Sequence, residues 1–245
     1  MSTELITLRA FRAVDDPGRC AMYVSEHTKV LEDIGVFNVL KPDMGWCSDP
    51  NVVVLVAEHP VLGMVAGIRV HKASFGVELP MQRSIAALDR SIAGRLAELL
   101  PDGNAEIAGL WNAHRFSGHG IPMLLMESAV SVASQIGVRS LVTFIAEYVA
   151  PYASRTGFIM MDSLKNGGDF VYPVPGIRTH AMILPDVLTM TAAKPGDRHR
   201  ILSLRLRPYQ LRAECPKQTP FGVRYELLDP SPCTDEVAGR NLHAA

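Results

Sequence analysis

Hydrophobic residues in the first third of the chain recur in runs of strand length. The segment 5–11 mixes β-branched and aromatic residues, and the run 52–57 is continuously apolar. A short connection at 59–63 separates that run from a further apolar segment at 64–70, so these two segments are predicted to pair as an antiparallel hairpin. Between the first two strands, apolar residues at loosely helical spacing predict a helix over 19–34.

Helical periodicity dominates the middle of the chain. Residues 83–100 place apolar side chains three and four positions apart, which predicts one amphipathic helix. A strand near 105–112 and a helix from about 119 to 136 follow. The polar side of this second helix is predicted to consist of Glu127, Ser131, Ser134 and Gln135. A further strand at 140–145 completes a strand-helix-strand unit, whose two strands are predicted to be parallel.

The pattern changes after Pro185. A short helix near 147–156 and a strand ending at 184 close the regular part. Beyond it basic residues cluster, prolines recur and periodicity is lost. We therefore predict a main domain over residues 1–188 and a C-terminal extension over 189–245, packed in part and with a mobile end after about residue 230.

Composition and charge exclude several classes of protein. The 24 basic and 25 acidic residues give a net charge of −1, so no bias toward nucleic acid or anionic membrane is visible. Four cysteines are widely spaced and form no CxxC pair, which fits neither a metal site nor a disulfide scaffold. The early acidic residue excludes a signal peptide, and no run is long enough to span a membrane. A cytoplasmic protein is expected.

The segment with the clearest chemistry is Arg115-Phe116-Ser117-Gly118-His119-Gly120, which joins the strand near 105–112 to the following helix. The first backbone N–H groups of a helix have no internal partner and carry partial positive charge, so such a turn suits a phosphate. No lysine follows the second glycine, and the spacing is too short for the three-glycine dinucleotide motif. A turn of this kind also occurs with no ligand.

With its flanking elements, this turn resembles the central motif of the GNAT superfamily of acyl-CoA-dependent N-acyltransferases. In that family Arg or Gln is followed by two residues, Gly, one residue, and Gly or Ala, which Arg115, Gly118 and Gly120 match. Ala105-Glu106-Ile107 is similar to the family's fourth strand and Gly157-Phe158 to its later Gly-Phe. The resemblance covers about three quarters of the chain. It implies an α+β fold with a mixed, mostly antiparallel sheet flanked by helices.

The resemblance also implies a donor site for acetyl-CoA or another acyl-CoA, laid between two splayed parallel strands. The backbone amides of 115–120 would hold the pyrophosphate, and the backbone of Leu110, Trp111 and Asn112 would pair with the thioester and the pantetheine arm. His114 and His119 flank the turn and suit phosphate or ribose contacts, although histidines in polar loops are also often solvated.

Three further residues are candidates for the chemistry. In part of the family a glutamate at the place of Glu106 takes the proton from the acceptor amine, but a solvated residue or a salt-bridge partner is the alternative. The family's tyrosine acid falls on Ala153 here, and the neighbouring Tyr152 would be rotated by about 100° on a regular helix. Tyr152 is therefore either a displaced general acid or a packing residue. Arg178 suits a substrate carboxylate, or a surface position.

We predict acyl transfer from CoA to a small-molecule primary amine by direct attack on the thioester. An alternative is an N-acyl amino acid or acyl-homoserine-lactone-type synthase with a long acyl chain, which predicts a deep apolar tunnel and an acyl carrier protein bound by the basic residues of 198–212. The other alternative is a non-catalytic acyl-CoA-binding module. The sequence leaves a homodimer open.

Overall fold

The computed structural model describes residues 5–38, 44–217 and 220–228. The predicted mobile end after about residue 230 lies outside these residues. The strands are β1 (Leu5–Arg12), β2 (Val52–His59), β3 (Gly63–Lys72), β4 (Asn104–Asn112), β5 (Ser140–Ala146), β6 (Ile159–Met160), β7 (Asp169–Val171), β8 (Arg178–Leu184), β9 (Tyr209–Glu214) and β10 (Phe221–Glu226). The helices are α1 (Pro17–Asp33), α2 (Pro80–Ile85), α3 (Ile92–Leu99), α4 (Ile121–Gln135), α5 (Ala150–Arg155) and α6 (Pro195–Leu206).

The ten strands of the described residues form one sheet in the order β6-β8-β5-β4-β3-β2-β1-β10-β9, with β7 also paired to β8. The pairs β4–β5 and β1–β10 are parallel, and the other pairs are antiparallel. The predicted α+β fold with a mixed, mostly antiparallel sheet is confirmed. The predicted hairpin of β2 and β3 is present, and the side chain of His59 accepts hydrogen bonds from the backbone of Val61 and Leu62 in its turn.

Helices cover both faces of the sheet, which explains why β2 is apolar throughout. Val52, Val54 and Val56 belong to a core cluster with Tyr23 of α1. Val53, Leu55 and Ala57 belong to the main core with α4. Because successive strand residues point to opposite faces, a strand covered on both sides needs apolar residues at every position.

The segment 83–100 is not one helix, as its periodicity predicted, but two short ones. The chain turns between α2 and α3 at Asp89, whose carboxylate accepts hydrogen bonds from the backbone N–H groups of Ser91 and Lys165, at 2.9 and 2.7 Å. An aspartate that binds its own backbone two residues on competes with the helical hydrogen-bond pattern. The two helices pack against Val142 of β5 and Ala181 of β8.

The predicted polar side of α4 is also wrong in part, because two of its members are fully buried. Glu127 and Ser131 are 0% exposed. The side chain of Arg200 on α6 donates to both carboxylate oxygens of Glu127, at 3.0 and 2.9 Å. Burial raises the pKa of Glu127 to about 7, while Arg200 opposes that rise. A buried glutamate on α4 is therefore a partner for another helix and not a solvated residue.

The chain is regular beyond Pro185, where periodicity predicted little. Helix α6 packs on α4, and β10 extends the sheet by pairing in parallel with β1. Basic residues of 198–212 are partly used inside the protein, because Arg205 donates to the backbone of Val187 and Arg212 donates to Ser203, both at 2.6 Å. Within the described ranges, no helix combines the length and apolarity needed to cross a membrane.

Candidate functional site

The parallel strands β4 and β5 separate halfway along their length. Their pairing runs from Asn104–Ser140 to Ile107–Thr143 and goes no further. At the last pair the hydroxyl of Thr143 donates to the carbonyl of Ile107 at 2.8 Å. Beyond this point residues 108–112 of β4 have no β5 partner, so their backbone groups on that side are open to a ligand.

A bulge on the other side of β4 accompanies this separation. The register with β3 shifts between Gly67 and Arg69, opposite Gly109, whose φ is +63°. A Cβ on Gly109 would lie 2.7 Å from a guanidinium nitrogen of Arg69 and 2.9 Å from the hydroxyl of Tyr23, so only glycine fits. The hydroxyl of Tyr23 donates to the carbonyl of Gly109, which ties α1 to the bulge. Bulges commonly re-aim the strand beside a site.

A cavity of about 1300 Å³ lies where the strands separate. Its walls come from β4, from the turn after it, from β5 and from α1, α2 and α5. Predicted site residues that line it are Glu106, Leu110, Trp111, Asn112, Ser117, Gly118, Gly120 and Tyr152. The predicted strand-turn-helix site and the predicted base therefore face one cavity.

The turn before α4 has fewer free backbone donors than its sequence suggests. The N–H groups of Phe116, Ser117 and His119 are used by turn hydrogen bonds within residues 113–119. In the described part of the chain, the N–H groups of Gly118, Gly120 and Ile121 have no such partner. Gly118 and Gly120 have φ values of +84° and +77°, which glycine adopts without strain. These donors lie at the start of the 15-residue helix α4, whose N-terminus favours an anion.

Other residues of the motif have structural contacts. Arg115 is exposed, and its guanidinium donates to the carbonyl of Leu62 in the β2–β3 turn at 3.1 Å. Phe116 is 4% exposed in the main core, and its ring packs against His119 with the centroids 5.4 Å apart. His114 lines the cavity. Within the motif, Ser117, Gly118 and Gly120 thus line the cavity, whereas Phe116 packs in the core.

The three predicted thioester-binding residues follow the bulge. Leu110, Trp111 and Asn112 all line the cavity and lie on the unpaired side of β4 with respect to β5. The Trp111 side chain is 3% exposed and packs edge-on against Tyr23. Its indole therefore belongs to an aromatic cluster with Tyr23, and both residues line the cavity.

Glu106 lies on β4 before the point of separation and is 2% exposed. One of its carboxylate oxygens accepts a hydrogen bond from the backbone N–H of Met81 at 2.8 Å. Burial raises the pKa of Glu106 to about 8, although this hydrogen bond and the charges of Arg69 and Arg83 favour the ionised form. A pKa near neutrality in a cavity is what a general base requires.

Two cavity residues on β3 were not predicted from the sequence. His71 lies opposite Glu106 in the β3–β4 register, and burial, together with the nearby Arg69 charge, keeps its pKa well below the usual value. The guanidinium of Arg69 lies 4.5 Å from the ring centre of Trp46 and 5.5 Å from that of Tyr23. The Nε of Arg69 is buried and makes no hydrogen bond within the described residues. Only the pairing of the strands brings these residues to Glu106.

Tyr152 lines the cavity, whereas Ala153, at the family's tyrosine position, is fully buried in the main core. In the short helix α5, Tyr152 therefore borders the cavity and Ala153 the core, and a role for Tyr152 as general acid stays a prediction. Arg178 does not line the cavity. It is exposed and pairs with Asp169 and, at 3.4 Å, with Glu147, so we leave it out of the site.

Within the described residues, no group of three or more His, Cys, Asp or Glu side chains is arranged to hold a metal ion.

No family model matches the sequence, and no curated protein matches it. Solved structures are similar. FeeM, an N-acyl amino acid synthase from uncultured soil microbes, aligns with a TM-score of 0.53 and 16% identity over 80% of this chain and 99% of FeeM. BjaI, a CoA-dependent acyl-homoserine lactone synthase, aligns with a TM-score of 0.51 and 14% identity over 84% of this chain and 90% of BjaI. For MesI, another CoA-dependent acyl-homoserine lactone synthase, the values are 0.51 and 12%, over 82% and 94%.

At these identities the likeness shows the fold. It is the GNAT fold that the turn and its flanking elements predicted from the sequence, and this prediction is confirmed. The alignments cover nearly all of each solved chain, so the similarity is to the whole fold and not to one motif.

Proposed function

We propose that the protein transfers an acyl group from acyl-CoA to a primary amine by direct attack of the amine on the thioester. The observation that carries this proposal is that a single cavity contacts both the glycine turn before α4 and the buried carboxylate of Glu106. The turn supplies free N–H donors for phosphates, and the carboxylate supplies a base. Residues 108–112 of β4, which have no β5 partner, lie between Glu106 and the glycine turn along the chain.

The donor half of the site consists of backbone groups. Gly118, Gly120 and Ile121 present unpartnered N–H groups to a pyrophosphate. The backbone of residues 110–112, free of β5, pairs with the pantetheine arm and orients the thioester carbonyl. A peptide N–H directed at that carbonyl oxygen would stabilise the negative charge that develops on it during attack.

The acceptor half is built around Glu106. Its carboxylate takes a proton from the ammonium form of the acceptor, directly or through water, and the amine nitrogen then forms a bond to the thioester carbon. The carbon–sulfur bond breaks as the tetrahedral intermediate collapses, the thiolate leaves with the bonding electron pair, and the nitrogen releases its second proton to water to give the neutral amide. Tyr152, on the cavity wall, is the residue we assign to protonate that thiolate.

The cavity weighs against a non-catalytic binding module. Such a module predicts no open connection between Glu106 and the thioester position, whereas both line the same cavity.

We also propose a cytoplasmic location. The spacing of the four cysteines does not predict a disulfide scaffold, and Cys20, Cys47 and Cys215 are free thiols, which supports this location.

A second candidate function is the acylation of an amino acid or a related amine that carries a carboxylate. The observation that favours it is Arg69, whose guanidinium lies in the cavity wall near Glu106 with a buried, unpartnered Nε. A guanidinium suits a carboxylate, so Arg69 takes the role that the sequence suggested for Arg178. Apolar residues around the cavity, such as Phe144, Ile145 and Ile177, suit a longer acyl chain.

The test is a matrix of donors and acceptors. The purified protein is incubated with acetyl-CoA or a long-chain acyl-CoA and with amine pairs that differ only in a carboxylate, and the products are identified by mass spectrometry. Amide formation with any pair supports acyl transfer. A preference for the carboxylate member that disappears in Arg69→Met supports the second candidate. Acyl-CoA binding without any amide product, over a broad amine panel, would refute catalysis.

A further inference from the structure

The turn 115–120 contains no lysine or arginine that lines the cavity. Arg115, the basic residue of the motif, is directed to the carbonyl of Leu62 and does not line the cavity. Pro122 has no N–H, so α4 begins with one donor fewer than usual. A pyrophosphate bound here by backbone groups alone would keep most of its charge uncompensated. Its cation must come from another part of the chain.

The segment between β9 and β10 brings one. Pro216 and Lys217 pack over the glycine that precedes α4, because a Cβ placed on Gly120 would lie 2.8 Å from Pro216 Cβ and 3.3 Å from Lys217 Cγ. Lys217 lines the cavity together with Gly118 and Gly120, and its side chain is exposed. The described lysines and arginines of the cavity wall are Lys217, Arg69 and Arg83, and the two arginines are those that act electrostatically on Glu106.

Buried contacts fix the start of this segment. Glu214, three residues before Lys217, is 2% exposed and accepts hydrogen bonds from the hydroxyl of Tyr225 and the guanidinium of Arg200, both at 2.8 Å. The thiol of Cys215 lies 3.5 Å from the carbonyl of Lys217. Arg200 also binds Glu127 of α4, so the strand that leads to Lys217 and the helix behind the phosphate turn share one charged network.

We infer that Lys217 is a phosphate-binding residue of the donor site and that the segment 215–217, which follows β9, completes this site. The inference rests on the proposed function, because it assigns Lys217 to the pyrophosphate or 3′-phosphate of acyl-CoA. An ammonium group next to free backbone N–H groups compensates phosphate charge that the turn alone does not. Lys217 then distinguishes a phosphorylated donor from one that ends at the pantetheine arm.

The experiment compares Lys217→Met with a charge-matched control, Lys194→Met, whose side chain is exposed and lies outside the cavity wall. Dissociation constants are measured for acetyl-CoA and for acetyl-pantetheine, which lacks the phosphates. We expect Lys217→Met to weaken acetyl-CoA binding by about tenfold and to leave acetyl-pantetheine unchanged. Lys217→Arg should retain most of the affinity, and Lys194→Met all of it. The salt dependence of acetyl-CoA binding should be smaller in Lys217→Met than in the wild type.

Two outcomes overturn the inference. Unchanged acetyl-CoA affinity in Lys217→Met would show that the lysine binds no phosphate, and an equal loss for acetyl-CoA and acetyl-pantetheine would show a structural role only. Both outcomes leave the proposed function intact, since they presuppose a wild-type protein that binds acetyl-CoA. A wild-type protein that binds neither these two ligands nor a long-chain acyl-CoA would instead refute the proposed function itself.

Discussion

Glu106 and Met81 are joined by a hydrogen bond of 2.8 Å from the backbone N–H of Met81 to the carboxylate of Glu106. Met81 belongs to α2, and Glu106 to β4, so the insertion between β3 and β4 orients the predicted base. The hydrogen bond occupies one carboxylate oxygen. No side chain of the described residues donates a hydrogen bond to the other oxygen, which leaves it for an acceptor in the cavity that Glu106 lines.

Glu106→Gln should lower kcat by roughly 10²- to 10⁴-fold, because the amide keeps the shape of the side chain but cannot take a proton. The KM for acyl-CoA should change little, since the donor's phosphates bind at the turn. In the wild type, kcat/KM should rise with pH through about 8, where Glu106 ionises, and the variant should lose this limb. Glu98→Gln, an exposed glutamate, serves as the control. A variant with wild-type turnover would exclude Glu106 as the base.

Stability should depend on pH through the same residue. The pKa of Glu106 rises from 4.5 to about 8 on folding, so the folded state holds a proton that the unfolded state loses. The resulting contribution is complete below pH 4.5 and is lost as pH rises toward 8. The free energy of unfolding of the wild type, relative to Glu106→Gln, should therefore fall across this range by on the order of 4 kcal/mol. Urea titrations of both proteins at several pH values measure it, and a constant difference would contradict the raised pKa.

Tyr152→Phe should lower kcat about tenfold, less than the base variant, because a CoA thiolate leaves readily without full protonation. Tyr148→Phe is the matched control, since Tyr148 also lines the cavity but is 74% exposed. Steady-state rates with one acyl-CoA and one amine separate the two. Equal rates for both variants would assign Tyr152 to packing.

Glu127→Gln should destabilise the protein by about 3 kcal/mol, because it leaves the partly buried guanidinium of Arg200 with one charged partner fewer. The same change at Glu147, which forms an exposed ion pair with Arg178, should cost less than about 1 kcal/mol. Chemical denaturation of the two variants gives both values. Similar losses would mean that α6 is not held to α4 by this buried pair.

The features that could be predicted from the sequence are those determined by residues close together along the chain. The glycines at 118 and 120 marked a turn because their backbone conformations are unfavourable for other residues, and the turn led to the fold. The apolar run of β2 and the hairpin after it followed from local pattern alone. Glu106 was identified by the resemblance of its strand, and its role as a base stays a prediction.

Features that depend on distant pairing were missed. Arg69 and His71 reach the cavity only through the register of β3 with β4, which periodicity does not specify. Glu127 was assigned to a solvated face because its partner, Arg200, is 73 residues away. Lys217 lies in a segment where proline content obscured two strands that pair with each other and with β1.

The central claim is that the turn before α4 binds the phosphates of acyl-CoA, and calorimetric titration with acetyl-CoA tests it most directly in a matched pair of variants. Gly118 and Gly137 both have positive φ, at +84° and +70°, and a Cβ on either meets nothing within 4 Å, so Gly118→Trp and Gly137→Trp impose similar backbone strain at opposite ends of α4. We predict that the wild type and Gly137→Trp bind acetyl-CoA and that Gly118→Trp, folded but with an indole in the cavity, does not. Equal binding by all three proteins, or binding by none, would contradict the account.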